Sequence, residues 1–225
     1  MYAANEFKCK DRCTSCCESP GLIIDPTLAD MYRIGLYRNK GILDVFEESC
    51  KTWFRDHSGT DIIIAFDMPC HYIEDNLCGI HPYKPIVCRI SPEMHFMATD
   101  KVRKQISRFI PCLSEDMAID AKVARNIRKL QYLGGIEEQD TKEAIYSPSI
   151  ILSSDPTEYF MHHPIFRDNI RGKEEDIPFT IKCQQDALAA DFLETILKRL
   201  EKAVKKTRVM DKIKRTTERY FAISR

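Results

Sequence analysis

Four cysteines crowd the opening of this chain, Cys9-Lys-Asp-Arg-Cys13-Thr-Ser-Cys16-Cys17, and no other feature restricts its fold so strongly. Spacings of two and three residues let consecutive thiolates wrap one site within a single turn of chain, and both zinc and iron–sulfur centres use them. The adjacent pair adds a constraint. Neighbouring side chains of an extended chain point to opposite sides, so Cys16 and Cys17 do not reach one mononuclear ion without strain. Either they serve two centres or one of them is not a ligand.

A second group follows: Pro69-Cys70, then Cys78-Gly-Ile-His81-Pro-Tyr-Lys84-Pro85-Ile-Val-Cys88-Arg89, with Cys112 beyond it. Its gaps are too long for a compact zinc finger and suit loops that close on a centre from another direction. Cys50 and Cys183 stand alone in helical text and read as ordinary core cysteines. The chain has 225 residues and is 44% apolar, enough to build a core without disulfides. No apolar run is long enough to span a bilayer, and the opening MYAANEFKCK has no signal-peptide core. A cytoplasmic location is therefore the expectation, and a reducing compartment turns clustered cysteines into a sign of metal rather than of disulfides.

Formal charge balances at 34 basic against 34 acidic residues, which points to neither nucleic acid nor a membrane surface. The end of the chain is basic, with eleven Lys and Arg from Lys198 onward against Glu201, Asp211 and Glu218. Without interleaved aromatics this reads as a solvated face, ahead of docking to an acidic partner or nucleic acid; a protein partner or protein substrate is the expectation, with no membrane and no nucleic acid.

The pattern predicts a mainly α fold with at most one or two short strands. It divides into an irregular cysteine-rich half, residues 1–112, and a helical half, residues 113–225. Asp25 is a candidate N-cap with Pro26 at the first helical position, ahead of a stripe of Leu28, Met31, Tyr32 and Leu36. Gly41 marks a break, and Ile42 to Phe54 reads as a second helix with Val45, Phe46 and Trp53 inward. The β-branched run Asp61 to Phe66 reads as a buried strand. Pro and Gly between Cys70 and Pro92 forbid a long helix and imply an irregular loop. Beyond it, Ser114 could cap a helix that ends at Gly134-Gly135. Prolines interrupt residues 147–178. One long helix then runs from about Gln184 on a stripe of Leu193, Ile196, Leu197, Leu200 and Val204.

These motifs resemble the CxxCxxCC cysteine-cluster family, a zinc- or iron-chelating domain to which flagellin lysine N-methylases are related. The resemblance covers Phe7 to about Cys112. It runs through Cys9 to Cys17, Pro69-Cys70 to Pro82, and Lys84-Pro85-Ile-Val-Cys88-Arg89, which is similar to the family's Arg-Pro-x-x-Cys-Arg signature with Lys84 in place of the first arginine. It implies a ligand set drawn from Cys9, Cys13, Cys16, Cys17, Cys70, Cys78, Cys88 and Cys112.

Thiolate-only ligands suit zinc and iron alike. Eight of them with an adjacent pair suit a four-iron, 4Fe–4S cluster or two centres better than one zinc. Four thiolates leave a charge of about −2 on either centre, and Arg89, next to Cys88, is the expected compensating donor. His81 could serve as a ligand or bond to backbone. Two enzymatic readings compete. Cys9-x3-Cys13-x2-Cys16 has the spacing of radical S-adenosylmethionine enzymes, but Ser15 replaces the usual aromatic and no barrel pattern follows. A lysine N-methylase would bind S-adenosylmethionine, yet the chain has only 8 glycines and no Gly-rich turn after a strand. A zinc-stabilised interaction module is the non-catalytic alternative.

Overall fold

The computed structural model describes residues 14–18, 24–54, 62–67, 69–91, 93–99, 101, 103–104, 107, 119–145, 194 and 196–224, with the side chains of 52–54 and 62–63 left aside. Cys9, Cys13, Cys112, Cys183, Leu193, Ser114 and the proline-broken stretch 147–178 lie outside these residues. Within them the fold is mainly α, with two small two-stranded sheets.

A short helical turn, α1 (Ser15–Glu18), precedes α2 (Leu28–Arg38). The cap of α2 is Thr27, not Asp25. Thr27 Oγ1 accepts the Asp30 N–H at 3.0 Å and Asp30 Oδ2 accepts the Thr27 N–H at 2.9 Å, a reciprocal capping box that puts Pro26 outside the helix. Leu28 and Met31 are buried as expected, but Leu36 is 53% exposed and Ile34 takes the inner position. At the end of α2, Asn39 adopts φ 56°, and a Cβ on Gly35 would lie 2.5 Å from the Lys40 carbonyl oxygen.

Gly41 caps α3 (Ile42–Ser49), with Val45 and Phe46 buried. The helix stops at Ser49 rather than Phe54. Residues Cys50–Phe54 form β1, which pairs antiparallel with β2 (Ile62–Phe66) in the register Cys50↔Phe66. Thr, Trp and Phe in this run favour a pleated surface, and the partner strand decides the matter. Trp53 thus lies on a strand.

The Cys70 to Pro92 segment has no long helix, but it is more regular than expected. It holds β3 (Ile73–Glu74) and β4 (Leu77–Cys78), a 3-10 turn at His81–Tyr83, and the short helix α4 (Ile86–Ile90). Next comes α5 (Glu93–Phe96).

Helix α6 (Ala121–Ile145) passes straight through Gly134-Gly135. The glycine there serves approach, not termination: a Cβ on Gly134 would lie 3.3 Å from Ile86 Cγ2 of α4. The C-terminal helix is two helices. Residues 196–204 form α7, the chain turns at 205–206, and α8 (Thr207–Ser224) follows, with the Lys206 carbonyl accepting the Val209 and Met210 N–H groups. Ile196 and Leu200 are fully buried. The main core joins Met31, Phe46 and Phe66 to Ile145, Leu200 and Ile213, so it draws on residues from both sides of position 112. A second core packs Ile86 and Ile90 of α4 on Leu130 and Leu133 of α6 and on Tyr220 of α8.

Candidate metal centre

The two cysteine groups meet. The Cys70 N–H donates to the Cys17 carbonyl at 2.8 Å, which ties the end of α1 to the start of the second group. Cys16 and Cys17 are not on extended chain. They share one helical turn, closed by N–H bonds from Cys17 and Glu18 to the Thr14 carbonyl. Successive positions there differ by about 100°, so both side chains can share a neighbourhood instead of pointing apart.

The second group folds back on itself. Asp75 (φ 49°) and Asn76 (φ 60°) make the two-residue turn of a tight hairpin, and Ile73 pairs with Cys78. The Ile73 N–H donates to the Cys70 carbonyl at 3.2 Å, and Gly79 N–H to Tyr72 at 2.8 Å. The long gap between Cys70 and Cys78 is thereby closed. The 3-10 turn and α4 then return Cys88 to the same place. Cys16, Cys17, Cys70, Cys78 and Cys88 are each partly buried, and none is in a disulfide.

Their electrostatics are those of one crowded site. The Cys17 thiol is pushed up to about 12, first by burial and then by Cys70, Cys78 and Cys16, with Lys84 opposing. Burial raises Cys88 well above the ordinary thiol range; Lys84 opposes this, while Cys70 and Cys17 add to it. Cys70 is raised by burial and by Cys78, and the Tyr72 N–H bonded to its sulfur pulls it back. Such thiols ionise only when a cation takes the protons' place. The donor set therefore fits a soft, thiophilic metal or cluster. Among the described residues, no three His, Cys, Asp or Glu side chains are close enough together to hold an ion as they stand.

Sequence reading left out Cys50. It opens β1 within electrostatic reach of Cys70, and its sulfur lies 3.7 Å from Ser49 Oγ, to which the Tyr72 hydroxyl donates at 2.9 Å. Its separation along the chain hid this, because the β1–β2 pairing alone brings it there. Arg89 donates to the Ser224 carbonyl at 3.4 Å, at the end of α8. The cation felt by Cys17 and Cys88 is Lys84. His81 is exposed, and its imidazole pKa is lowered, first by partial desolvation and then by Lys84 and Arg89, which favours the neutral ring.

Residues 8–113 match the family model of CxxCxxCC, described as a putative zinc- or iron-chelating domain. This segment is similar to a CxxCxxCC domain. No curated protein and no solved structure matches the chain. That description points to chelation of zinc or iron, and in the matched segment the described cysteines of both groups converge. Among the described residues, no helix is long and apolar enough to cross a membrane.

Proposed function

We propose that the CxxCxxCC segment holds an iron–sulfur centre of the four-iron type, with ligands drawn from Cys9, Cys13, Cys16, Cys17, Cys70, Cys78, Cys88 and Cys112. The observation that carries this reading is the Cys70 to Cys17 backbone bond, which brings an adjacent cysteine pair and three further thiols into one neighbourhood. A zinc ion and a four-iron cluster each take four thiolates, so the five described thiols in electrostatic contact leave room for a second centre or a spare thiol, and the preference for iron rests on the thiolate-only donor set with its adjacent pair. A bound cluster would supply electron storage or a rigid cross-link; the chain supplies thiolates, the Lys84 cation and the Tyr72 N–H to sulfur. Arg89 and His81 flank the site and are its candidate outer partners. A cytoplasmic, reducing compartment goes with free thiols. The lysine N-methylase reading, with S-adenosylmethionine, rests on the resemblance alone.

Anaerobic purification followed by iron, zinc and acid-labile sulfide analysis tests the proposal. Iron with sulfide and a brown charge-transfer spectrum is the expected result. Zinc without sulfide would replace the cluster by a zinc-stabilised interaction module, to be tested against protein partners.

A further inference from the structure

Pro85 opens α4 and has no N–H of its own. The groups on either side of it, the Lys84 carbonyl and the Ile86 N–H, lie outside regular hydrogen bonding and are held from elsewhere. The Ile86 N–H donates to Asp30 Oδ1 of α2 at 3.1 Å. The Tyr220 hydroxyl of α8 donates to the Lys84 carbonyl at 3.1 Å. Two residues further on, α4 presents Cys88.

Both holders are organised by one side chain. Arg33 of α2 has no exposed surface. Its guanidinium pairs with Asp30, donates to Glu137 Oε1 and Oε2 of α6 at 2.7 and 2.9 Å, and lies 4.3 Å from the centre of the Tyr220 ring. Thr27 adds a bond to Glu137 at 3.1 Å. Asp30 and Glu137 are themselves buried. The fork of a guanidinium can bridge two carboxylates and stack on a ring at once, which an ammonium cannot do.

We propose that Arg33 is the positioning residue of the metal centre: through Asp30 and Tyr220 it fixes the backbone on both sides of Pro85 and so sets where Cys88 and Lys84 stand. Glu137 and Tyr220 lie outside the matched segment 8–113. The helices beyond the CxxCxxCC segment thus complete its metal site rather than forming a separate appendage. The cost of burying three charged groups is met where ligand placement is set, in keeping with outer partners that hold metal ligands in place.

This inference rests on the reading of the cysteine cluster as a metal centre, and its test separates the two. Wild type, Tyr220→Phe and Arg33→Lys are loaded with metal anaerobically and challenged with an excess of chelator, and the release rate is followed by absorbance. Tyr220→Phe keeps the ring beside Arg33 and loses only the hydroxyl; Arg33→Lys keeps the charge and loses the fork. Each variant that retains wild-type helical content should release metal about tenfold faster, the low end for loss of an outer partner. Release at the wild-type rate in such a variant overturns the inference. Should neither variant fold, amide exchange on metal-free wild type decides: Ile86 should be strongly protected by its bond to buried Asp30, and exchange at the unprotected rate overturns it. A wild-type protein that takes up neither iron nor zinc sinks the metal reading itself, and the Ile86 measurement still judges the Arg33 network.

Discussion

Lys84 is the cation whose charge opposes the raised pKa of both Cys17 and Cys88. Arg89, five residues on, donates to the Ser224 carbonyl at the end of α8. An ammonium acts as a point charge and needs no fixed plane, so it can follow a set of thiolates whose charge is spread over several sulfurs. Lys84→Gln should weaken metal binding roughly two- to fivefold, the size of a partly screened charge pair. The effect should shrink in high salt. Competition with a coloured chelator at two salt concentrations measures it, and an unchanged affinity at low salt would remove Lys84 from the site.

Among the elements, the β3–β4 hairpin and α2 do the most to shape the site. The hairpin turns a gap that looked irregular into a device that returns Cys78 to Cys70. Asp75-Asn76 carries the turn, being two residue types that tolerate positive φ, while the surrounding Gly and Pro carry the pattern of an irregular loop. Helix α2 carries Asp30 and Arg33 toward the site and ends where Gly35 lets the Lys40 carbonyl approach. Gly35→Ala places a methyl 2.5 Å from that backbone oxygen, which cannot swing aside as a side chain would. Its helix-propensity gain of about 1 kcal/mol should be outweighed by overpacking, for a net loss of roughly 1–2 kcal/mol. Urea unfolding of metal-free protein reads the difference, and a stabilised variant would show that α2 can shift. Helix α6 teaches the opposite lesson about glycine. Gly134 sits within a helix because Ile86 packs on it, so the helix continues where sequence alone suggested an end.

For the whole molecule, thiol chemistry and folding are linked. Cys17 and Cys50 are both pushed up to about 12 by burial and by neighbouring thiols, against an ordinary value of 9.0. The folded metal-free chain therefore holds these protons more tightly than the unfolded chain does. Its stability is fully present below about pH 9 and is lost as pH rises toward 12, because there the unfolded state binds fewer protons. Metal loading changes the sign of the problem, since ligating thiols are already ionised and paired. Urea midpoints of metal-free protein should fall between about pH 9 and 11, while those of loaded protein should hold. A metal-free midpoint that stays flat across this range would mean that the thiols are more open to water than their burial indicates.

The sequence by itself determined the chemistry and the helical class. Cysteine spacing marked both thiol groups, β-branched residues marked β2, and apolar stripes marked α2, α3 and the buried face of residues 196–204, because local spacing decides which side chains share a turn or a face. It could not decide where helices yield to longer-range partners. Residues 50–54 become a strand only because β2 lies beside them, and the last helix breaks at 205–206 as the chain turns before α8 packs on α6 and α2. Arg33 was also out of reach: a lone arginine among helical residues reads as surface. Only the folded chain brings Asp30, Glu137 and Tyr220 around it from three helices, and a buried charge is held only where such partners converge.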